Sequence, residues 1–172
     1  SCSVQGGDHT STAQLPLDHG NSELTLCLYD SGIYCWSNAE LIYTQKVNVP
    51  ENTLFDFLNV VTGWNITRQE WYGTMAPRIL HIQRAALLIG GPDIKWKPIE
   101  SDESPPRFYE PLPSGPQAGR RIDRTVFEDS RREYFEALGW DENGIPTSET
   151  LKNLGLEDVE RVLRKKELIR SR

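Results

Sequence analysis

A carboxylate and a thiol stand five positions apart in the segment Asp30-Ser-Gly-Ile-Tyr-Cys35. The glycine between them favours a turn that presents both groups to one ligand. A thiolate is the ligand that iron–sulfur clusters use, and a carboxylate accepts hydrogen bonds from a polar cofactor. An aspartate helix cap beside a buried cysteine would have the same sequence, so these residues alone leave both interpretations open.

A histidine lies earlier in the chain, at the end of Gly6-Gly-Asp-His9. Imidazole titrates near neutral pH, which suits His9 to moving a proton during catalysis. Residues 1–20 are small, polar and glycine-bearing, and we expect them to form a loop that lines a cavity. A loop histidine bonded to the backbone is the structural alternative.

The composition is that of a globular protein, with 37% hydrophobic and 26% charged residues among 172. The net charge of −6 argues against nucleic acid or an anionic membrane as partner, because both require a basic surface. No apolar run approaches the roughly 20 residues that cross a bilayer. The three cysteines, Cys2, Cys27 and Cys35, do not form the dense framework of a secreted disulfide scaffold, which favours a reduced, cytoplasmic setting.

Helical spacing becomes clear in the second quarter of the chain. Leu54, Phe57, Leu58 and Val61 share one face of a predicted helix, and Gly63 is placed to end it. The spacing therefore predicts an α-helix over this stretch of the chain.

The next predicted helix opens with a capping box, Thr67-Arg-Gln-Glu70. In such a box the threonine hydroxyl and the glutamate each satisfy a free amide at the helix end. Pro77 lies inside this helix, and we expect it to kink or divide the helix, because proline lacks a backbone donor and clashes with the preceding turn. His81 is predicted to pack in the helix, and Arg78 and Arg84 to pair with acidic neighbours.

Residues 92–116 hold seven of the eleven prolines. Such a segment is extended and forms neither an α-helix nor a central strand. Trp96, Phe108 and Tyr109 supply apolar anchors, so we expect the segment to wrap over the helices.

Two further helices complete the prediction, one over Asp123–Leu138 and one over Glu157–Leu168, with a polar turn after Gly139. The predicted fold is all-α and multihelical, with a proline-rich extended segment wrapping the helices. We divide the chain into a cofactor-facing part with loop and short helices, residues 1–49, and a helical C-terminal domain, residues 50–172.

Several runs of sequence carry a resemblance to a known family. They are T-G-W-N-I-T at 62–67, R-I-L-H-I-Q-R at 78–84, E-P-L-P-S-G-P at 110–116 and G-W-D-E-N-G-I-P-T at 139–147. In order and wording they resemble the C-terminal region of the tungsten-containing aldehyde:ferredoxin oxidoreductase family. That family has a D-x-x-G-L-C motif at the place of Asp30–Cys35 and a G-x-D-H segment at the place of His9.

The resemblance implies a role for each candidate residue. Asp30 would hydrogen-bond the pterin of a bis-pterin tungsten cofactor, Cys35 would be the fourth ligand of a 4Fe-4S cluster, and His9 would donate a proton. One part of the motif departs from the family: Gly32 falls one place early, and Ile33-Tyr34 replaces Gly-Leu.

By the same resemblance, the complete enzyme would oxidise an aldehyde to a carboxylic acid and pass electrons to ferredoxin. The other cluster ligands of the family, a C-x-x-C-x-x-x-C run, are absent from this sequence. We therefore expect the remainder of the enzyme to lie upstream of Ser1, and the isolated chain to bind neither cluster nor tungsten stably. Two alternatives are the tungsten subunit of a benzoyl-CoA reductase-like enzyme and a non-catalytic helical interaction domain. The oligomeric state stays open, a homo-oligomer included.

Overall fold

The computed structural model describes residues 27–28, 30–34, 50, 52–92 and 96–169. It divides into two compact units. The described residues up to Leu80 form one unit, here called the motif unit because it contains Asp30. Those from His81 onward form the second, here called the core unit. The predicted boundary between residues 49 and 50 borders an undescribed range and stays a prediction.

The described residues form helices and no β-strand, with a single isolated bridge between Trp140 and Pro146. The all-α prediction is therefore confirmed. The α-helices are α1 (Thr53–Thr62), α2 (Arg68–Glu70), α3 (Ala76–Ile89), α4 (Arg124–Ala137), α5 (Ser148–Asn153) and α6 (Glu157–Lys165). Within the described ranges, none of these helices combines the length and apolar character needed to cross a membrane.

Helix α1 buries Leu54, Phe55 and Leu58. Its last turn closes on Gly63, which has a φ of 72° and donates its amide hydrogen to the carbonyl of Asn59. Of the four residues at helical spacing, Leu54 and Leu58 are buried, whereas Phe57 and Val61 are exposed. The apolar residues of α1 lie on two faces, and hydrophobic spacing alone does not tell which face is buried.

Thr67 caps α2 as predicted, because its hydroxyl accepts a hydrogen bond from the amide of Glu70. A π-helical segment, Trp71–Met75, then joins α2 to α3. Its end is marked by the amide of Ala76, which donates to the carbonyl of Trp71 five residues earlier. The wider turn lies just before Pro77 in an otherwise continuous helix, where the missing donor of the proline disturbs the normal hydrogen-bond ladder.

Among the described residues of the core unit, Trp96 of the proline-rich segment packs against a buried apolar cluster. The cluster consists of Ala85, Leu88, Ile145, Leu151, Leu156 and Leu163. Most of the described proline-rich segment is irregular, with one short 3₁₀ helix at Pro106–Tyr109. The prediction of a wholly extended segment is corrected there, because the fixed φ of proline suits the first turn of a helix.

The end of the chain contains the predicted helix, turn and final helix, and the short helix α5 lies between the turn and α6. Asp123 caps α4 by accepting hydrogen bonds from the amides of Thr125 and Val126. The carboxylate of Asp141 accepts hydrogen bonds from the amides of Asn143 and Ile145, at 2.9 Å each, and so holds the turn. Helix α6 ends at Lys165, three residues before the predicted end at 168.

Candidate functional site

The aspartate of the candidate motif lies in the helical turn that precedes Gly32, where its side chain is exposed. The amide of Gly32 donates to the carbonyl of Leu28 at 2.9 Å and ends this turn. Leu28 is almost fully buried. The turn is thus anchored on its apolar side and leaves the carboxylate of Asp30 facing outward, which is the geometry an external hydrogen-bond donor requires.

The backbone after the turn is unusual at Ile33, whose φ is 55°. This left-handed conformation is favourable for glycine and strained for a β-branched residue. It falls on Ile33 and not on Gly32, although the sequence suggests the reverse. Ile33 occupies the position of the glycine in the D-x-x-G-L-C pattern, so the backbone keeps a conformation suited to glycine without the glycine.

Gly32 is required for a different reason: a side chain at this position would not fit beside the ring of Tyr34. A Cβ atom added there would lie within 2.8 Å of three ring atoms of Tyr34. The Tyr34 hydroxyl donates a hydrogen bond of 2.5 Å to the carbonyl oxygen of Leu54 on α1. Burial raises the pKa of the Tyr34 phenol above its ordinary value. The ring therefore lies over Gly32 while its hydroxyl connects the motif to α1.

Of the three predicted site residues, the structure places Asp30 alone. Cys35 and His9 lie outside the described residues, so their roles stay predictions. Within the described ranges, no group of three or more His, Cys, Asp or Glu side chains is arranged to hold a metal ion. Cys27, which precedes the motif, is buried, as expected of a structural cysteine.

An open groove of about 710 Å³ lies in the motif unit, along α1 and the start of α2. Sequence reasoning did not identify it. One wall contains the side-chain amide of Asn59, which is held against the backbone of Ile66. Its Nδ2 donates to the carbonyl oxygen of Ile66 at 2.9 Å, and its Oδ1 accepts from the backbone amide of Ile66 at 2.8 Å. Polar side chains such as Asp56 and Gln69 and the ring of Tyr72 line the remainder. This lining could hydrogen-bond a polar ligand, but it does not gather the groups that acid–base catalysis uses.

The basic residues of α3 that were predicted to be structural are confirmed in two cases. His81 is buried, with its Nε2 3.0 Å from the carbonyl of Leu138. Arg84 donates two hydrogen bonds of 2.7 Å to the carboxylate of Asp102 and one of 2.8 Å to the carbonyl of Gly144. These contacts hold the core unit together and leave neither side chain as a candidate for chemistry.

Comparison with known proteins decides the family. The family model described as "Aldehyde ferredoxin oxidoreductase, domains 2 & 3" matches residues 19–156, which is most of the chain. The chain belongs to the aldehyde ferredoxin oxidoreductase family. The match includes Asp30 and Cys35 and leaves out His9.

The individual relatives carry two different functional names. The chain is 42% identical over 163 residues, 95% of its length, to an aliphatic sulfonate oxidoreductase, WOR-like subunit, of Pyrococcus furiosus. It is 34% identical over 104 residues, 60% of its length, to a tungsten-containing aldehyde ferredoxin oxidoreductase of Pyrococcus horikoshii. The chain spans 25% of the first relative and 16% of the second. It therefore corresponds to one part of these oxidoreductases.

Asp30 is the described residue of the motif that could hold a cofactor. The carboxylate of Asp30 is exposed, so it can accept hydrogen bonds from a polar ring system such as a pterin. The backbone at Ile33 forms a left-handed turn, which a glycine would adopt without strain. The Ile-Tyr pair of this chain thus stands at a turn whose backbone would suit glycine at the position of Ile33.

Proposed function

We propose that this chain is the C-terminal part of a tungsten-pterin, iron–sulfur oxidoreductase that oxidises an aldehyde to a carboxylic acid with ferredoxin as electron acceptor. The family match over residues 19–156 supports the class of enzyme. The single structural observation that supports the site is the exposed carboxylate of Asp30 at the head of a turn that leads to Cys35.

Each candidate residue has one role in this proposal. The carboxylate of Asp30 accepts hydrogen bonds from the pterin and orients it. The thiolate of Cys35 is a soft donor that binds one iron of a 4Fe-4S cluster, whose other ligands come from the remainder of the enzyme. The imidazole of His9 holds and moves a proton at neutral pH.

When bound, the tungsten cofactor would supply two-electron redox chemistry, and the cluster would carry the electrons one at a time. The overall reaction is balanced as aldehyde plus water giving carboxylic acid, two protons and two electrons. Two one-electron acceptors such as ferredoxin are therefore reduced for each aldehyde oxidised. His9 is suited to receiving one of the released protons.

An aliphatic sulfonate is the second candidate for the substrate class. The relative named as an aliphatic sulfonate oxidoreductase subunit matches 95% of the chain, whereas the aldehyde ferredoxin oxidoreductase of P. horikoshii matches 60%. The match to the former therefore extends over more of the chain. In this alternative the roles of Asp30 and Cys35 are unchanged, because they concern the cofactors.

The test uses the full-length protein purified without oxygen. We expect the purified protein to contain tungsten and about four irons per chain. We also expect it to reduce ferredoxin when it is supplied with an aldehyde or an aliphatic sulfonate. An aryl-CoA thioester serves as the third substrate, for the reductase alternative. A protein that contains neither tungsten nor iron, and is inactive with all three substrate classes, would contradict the proposal and favour a non-catalytic domain.

Variants then assign the residues. Cys35→Ser should lower the iron content while Cys2→Ser, a matched thiol outside the motif, should not. Asp30→Asn should lower the tungsten and pterin content, and Asp129→Asn, an exposed aspartate on α4 paired with Arg132, is its control. Equal cofactor content in Asp30→Asn and Asp129→Asn would remove Asp30 from the site.

A further inference from the structure

We propose that one face of α1 packs against the part of the full-length oxidoreductase that lies outside residues 1–172. The inference rests on the proposed function only in taking this chain as one part of a longer enzyme. The face consists of Phe57, Val60, Val61 and Trp64, and we call it the α1 apolar face. Its occupant is an apolar, uncharged surface of the same polypeptide.

The four side chains of the α1 apolar face are all exposed. Val60 and Val61 are each 84% exposed, and Phe57 and Trp64 are each 55% exposed. Phe57 lies three and four residues before the two valines, so these three side chains are neighbours on the helix surface. Single exposed apolar residues are common on proteins, but a contiguous group of them marks an interaction surface.

Helix α1 is apolar on two sides. Leu54, Phe55 and Leu58 are buried within the motif unit, and the α1 apolar face lies on another side of the same helix. Asp56 and Asn59, which line the groove, separate the two sides along one edge. A surface helix has one apolar stripe, whereas a helix that is apolar around most of its circumference belongs to the interior of a larger protein.

Helix α6 shows how this chain builds a helix that faces solvent. It has nine residues, close to the ten of α1. Beside Val162, its exposed positions carry charges, at Glu157, Asp158, Arg161 and Lys165. Helix α1 contains one charged residue, Asp56. The contrast indicates that the α1 apolar face is covered in the full-length protein.

The turn that follows α1 holds the backbone of Trp64 in place. The amide of Trp64 donates to the hydroxyl oxygen of Thr62 at 3.2 Å, and that hydroxyl donates to the carbonyl of Leu58 at 2.6 Å. The amide of Gly63 donates to the carbonyl of Asn59 at 2.9 Å. An aromatic residue on an ordered backbone loses less conformational freedom on packing, and tryptophan is enriched in the buried centres of interfaces.

The length of the relatives identifies the occupant. The chain spans 25% of the Pyrococcus furiosus subunit and 16% of the Pyrococcus horikoshii enzyme, so most of each relative lies outside the matched region. A segment joined covalently acts at a high effective concentration, which favours it over a second copy or a separate protein. Permanent contacts of this kind are apolar and resemble a domain core, as the α1 apolar face requires.

The first test places the photo-crosslinking residue p-benzoylphenylalanine at Phe57 of the full-length protein. This residue keeps a phenyl ring there and, on irradiation, joins to C–H groups in contact with it. Peptide mass spectrometry identifies the attached segment, and mixing isotopically light and heavy protein separates links within one polypeptide from links between copies. We expect a link within one polypeptide to a segment outside residues 1–172. A link to a second copy, a link only to residues 1–172, or no link would overturn the inference.

A pair of valine variants gives the second test, again in the full-length protein. Val126 on α4 is the matched control, because it is 58% exposed but its neighbours at helical spacing, Asp129 and Ser130, are polar. Alanine has the higher helix propensity, so Val126→Ala should be cleaved by a protease no faster than wild type. Val61→Ala should be cleaved at least about threefold faster, because it removes buried apolar volume and so populates the open state.

A lysine pair enlarges the same contrast. Val61→Lys should be cleaved at least about tenfold faster than wild type, because it places an unpaired charge in an apolar contact. Val126→Lys should stay within about twofold of wild type. In residues 1–172 alone, the lysine at position 61 would lie in solvent. The alanine pair decides if Val61→Lys does not accumulate as folded protein, and equal cleavage of the two members of the deciding pair would reject the packing of this face.

These readouts require neither metal nor activity, so they are independent of the proposed reaction. A full-length protein without tungsten and iron that forms the expected cross-link contradicts the proposed function and supports the packing of the α1 apolar face. A protein that contains both metals but links Phe57 to a second copy supports the function and rejects the packing.

Discussion

The core unit pairs a charged group that it buries, whereas the motif unit leaves several apolar side chains exposed to solvent. The core unit buries a guanidinium, Arg84, and satisfies it with Asp102 and Gly144. The motif unit exposes apolar side chains, with Val60 and Val61 of α1 each 84% exposed. Phe57, three and four residues before them on α1, is also exposed, and so is Trp64 just beyond the helix.

This contrast separates residues by their physical purpose. In the core unit the polar and aromatic groups are explained by contacts within the unit, so their substitution should change stability. In the motif unit an apolar face, an exposed carboxylate and a strained turn are not explained by internal packing among the described residues. Contiguous exposed apolar surface and local strain are both associated with recognition. Substitutions there should change stability little.

The largest expected effect tests the buried pair of the core unit. Arg84→Met should lower the free energy of unfolding by about 3–5 kcal/mol, because the change leaves the carboxylate of Asp102 mostly buried without its partner. Urea denaturation of the purified chain measures this. Arg132→Met, which breaks the exposed ion pair with Asp129, is the control and should change stability by less than about 1 kcal/mol.

A double variant sharpens the same test. Arg84→Met with Asp102→Leu removes both charges, and it should recover part of the loss, because the penalty of the single change comes from the uncompensated carboxylate. Equal stability of the single and double variants would show that the packing of Arg84 between Trp140 and Phe135, and not its charge, dominates.

The second effect concerns a glycine beside this arginine. Gly144 has a φ of 71°, and a Cβ there would lie 2.5 Å from Nη2 of Arg84 and 2.6 Å from the ring of Phe135. Gly144→Ala should therefore cost about 2–4 kcal/mol, from backbone strain and overpacking together. Gly119→Ala shares the positive φ, at 82°, but has open space around it. It should cost only the backbone part, about 1–2 kcal/mol, and equal losses in thermal or urea unfolding would contradict the packing argument.

These two sites also show what sequence could and could not reveal. The cap at Thr67, the polar turn after Gly139 and the structural role of Arg84 follow from local rules, because each depends on residues nearby in sequence or on the high cost of burying a charge. The partner of Arg84 does not follow from them, since Asp102 lies 18 residues away on an irregular segment. The exposure of Phe57 and Val61 on α1 does not follow from the sequence either, because helical spacing marks an apolar face without saying what covers it.

The candidate site remains a prediction that rests on residue type and spacing. Asp30 and Cys35 were predicted from their spacing and the family pattern, and the structure describes only Asp30 of the two. The left-handed backbone was not predicted at Ile33, because the adjacent Gly32 is the residue that normally adopts it. Only the position of the Tyr34 ring explains why the glycine is needed one place earlier.

Raising the pH above 10 is expected to lower the stability of the core unit by less than these substitutions do. Burial, together with a hydrogen bond to Glu103 and the charge of that group, raises the pKa of Tyr109 to about 12. The unfolded chain loses the phenol proton near pH 10, so the stabilisation is complete below pH 10 and is lost as pH rises from 10 toward 12. Because the phenol is partly exposed, we expect less than about 1 kcal/mol.

Tyr109→Phe is the variant that checks this titration. It should remove the extra loss of stability between pH 10 and 11 that wild type shows in urea denaturation. Its own stability at pH 8 should be lower than that of wild type, because the hydrogen bond to Glu103 is lost. Parallel pH profiles for the two proteins would mean that the folded environment of Tyr109 does not hold its proton.

The smallest expected change in the free energy of unfolding is an increase, and it compares one residue from each unit. Ile33 and Ile99 are both β-branched residues with positive φ, 55° and 65°, but Ile33 is 91% exposed whereas Ile99 is partly buried. Ile33→Gly should raise the free energy of unfolding by up to about 1 kcal/mol, because relief of left-handed strain exceeds the entropic cost of glycine. Ile99→Gly gains the same relief but loses buried surface, so its net change should be near zero or negative. If Ile33→Gly stabilises the chain in thermal unfolding while loosening iron binding in the full-length enzyme, the strain at Ile33 is retained for the site and not for the fold.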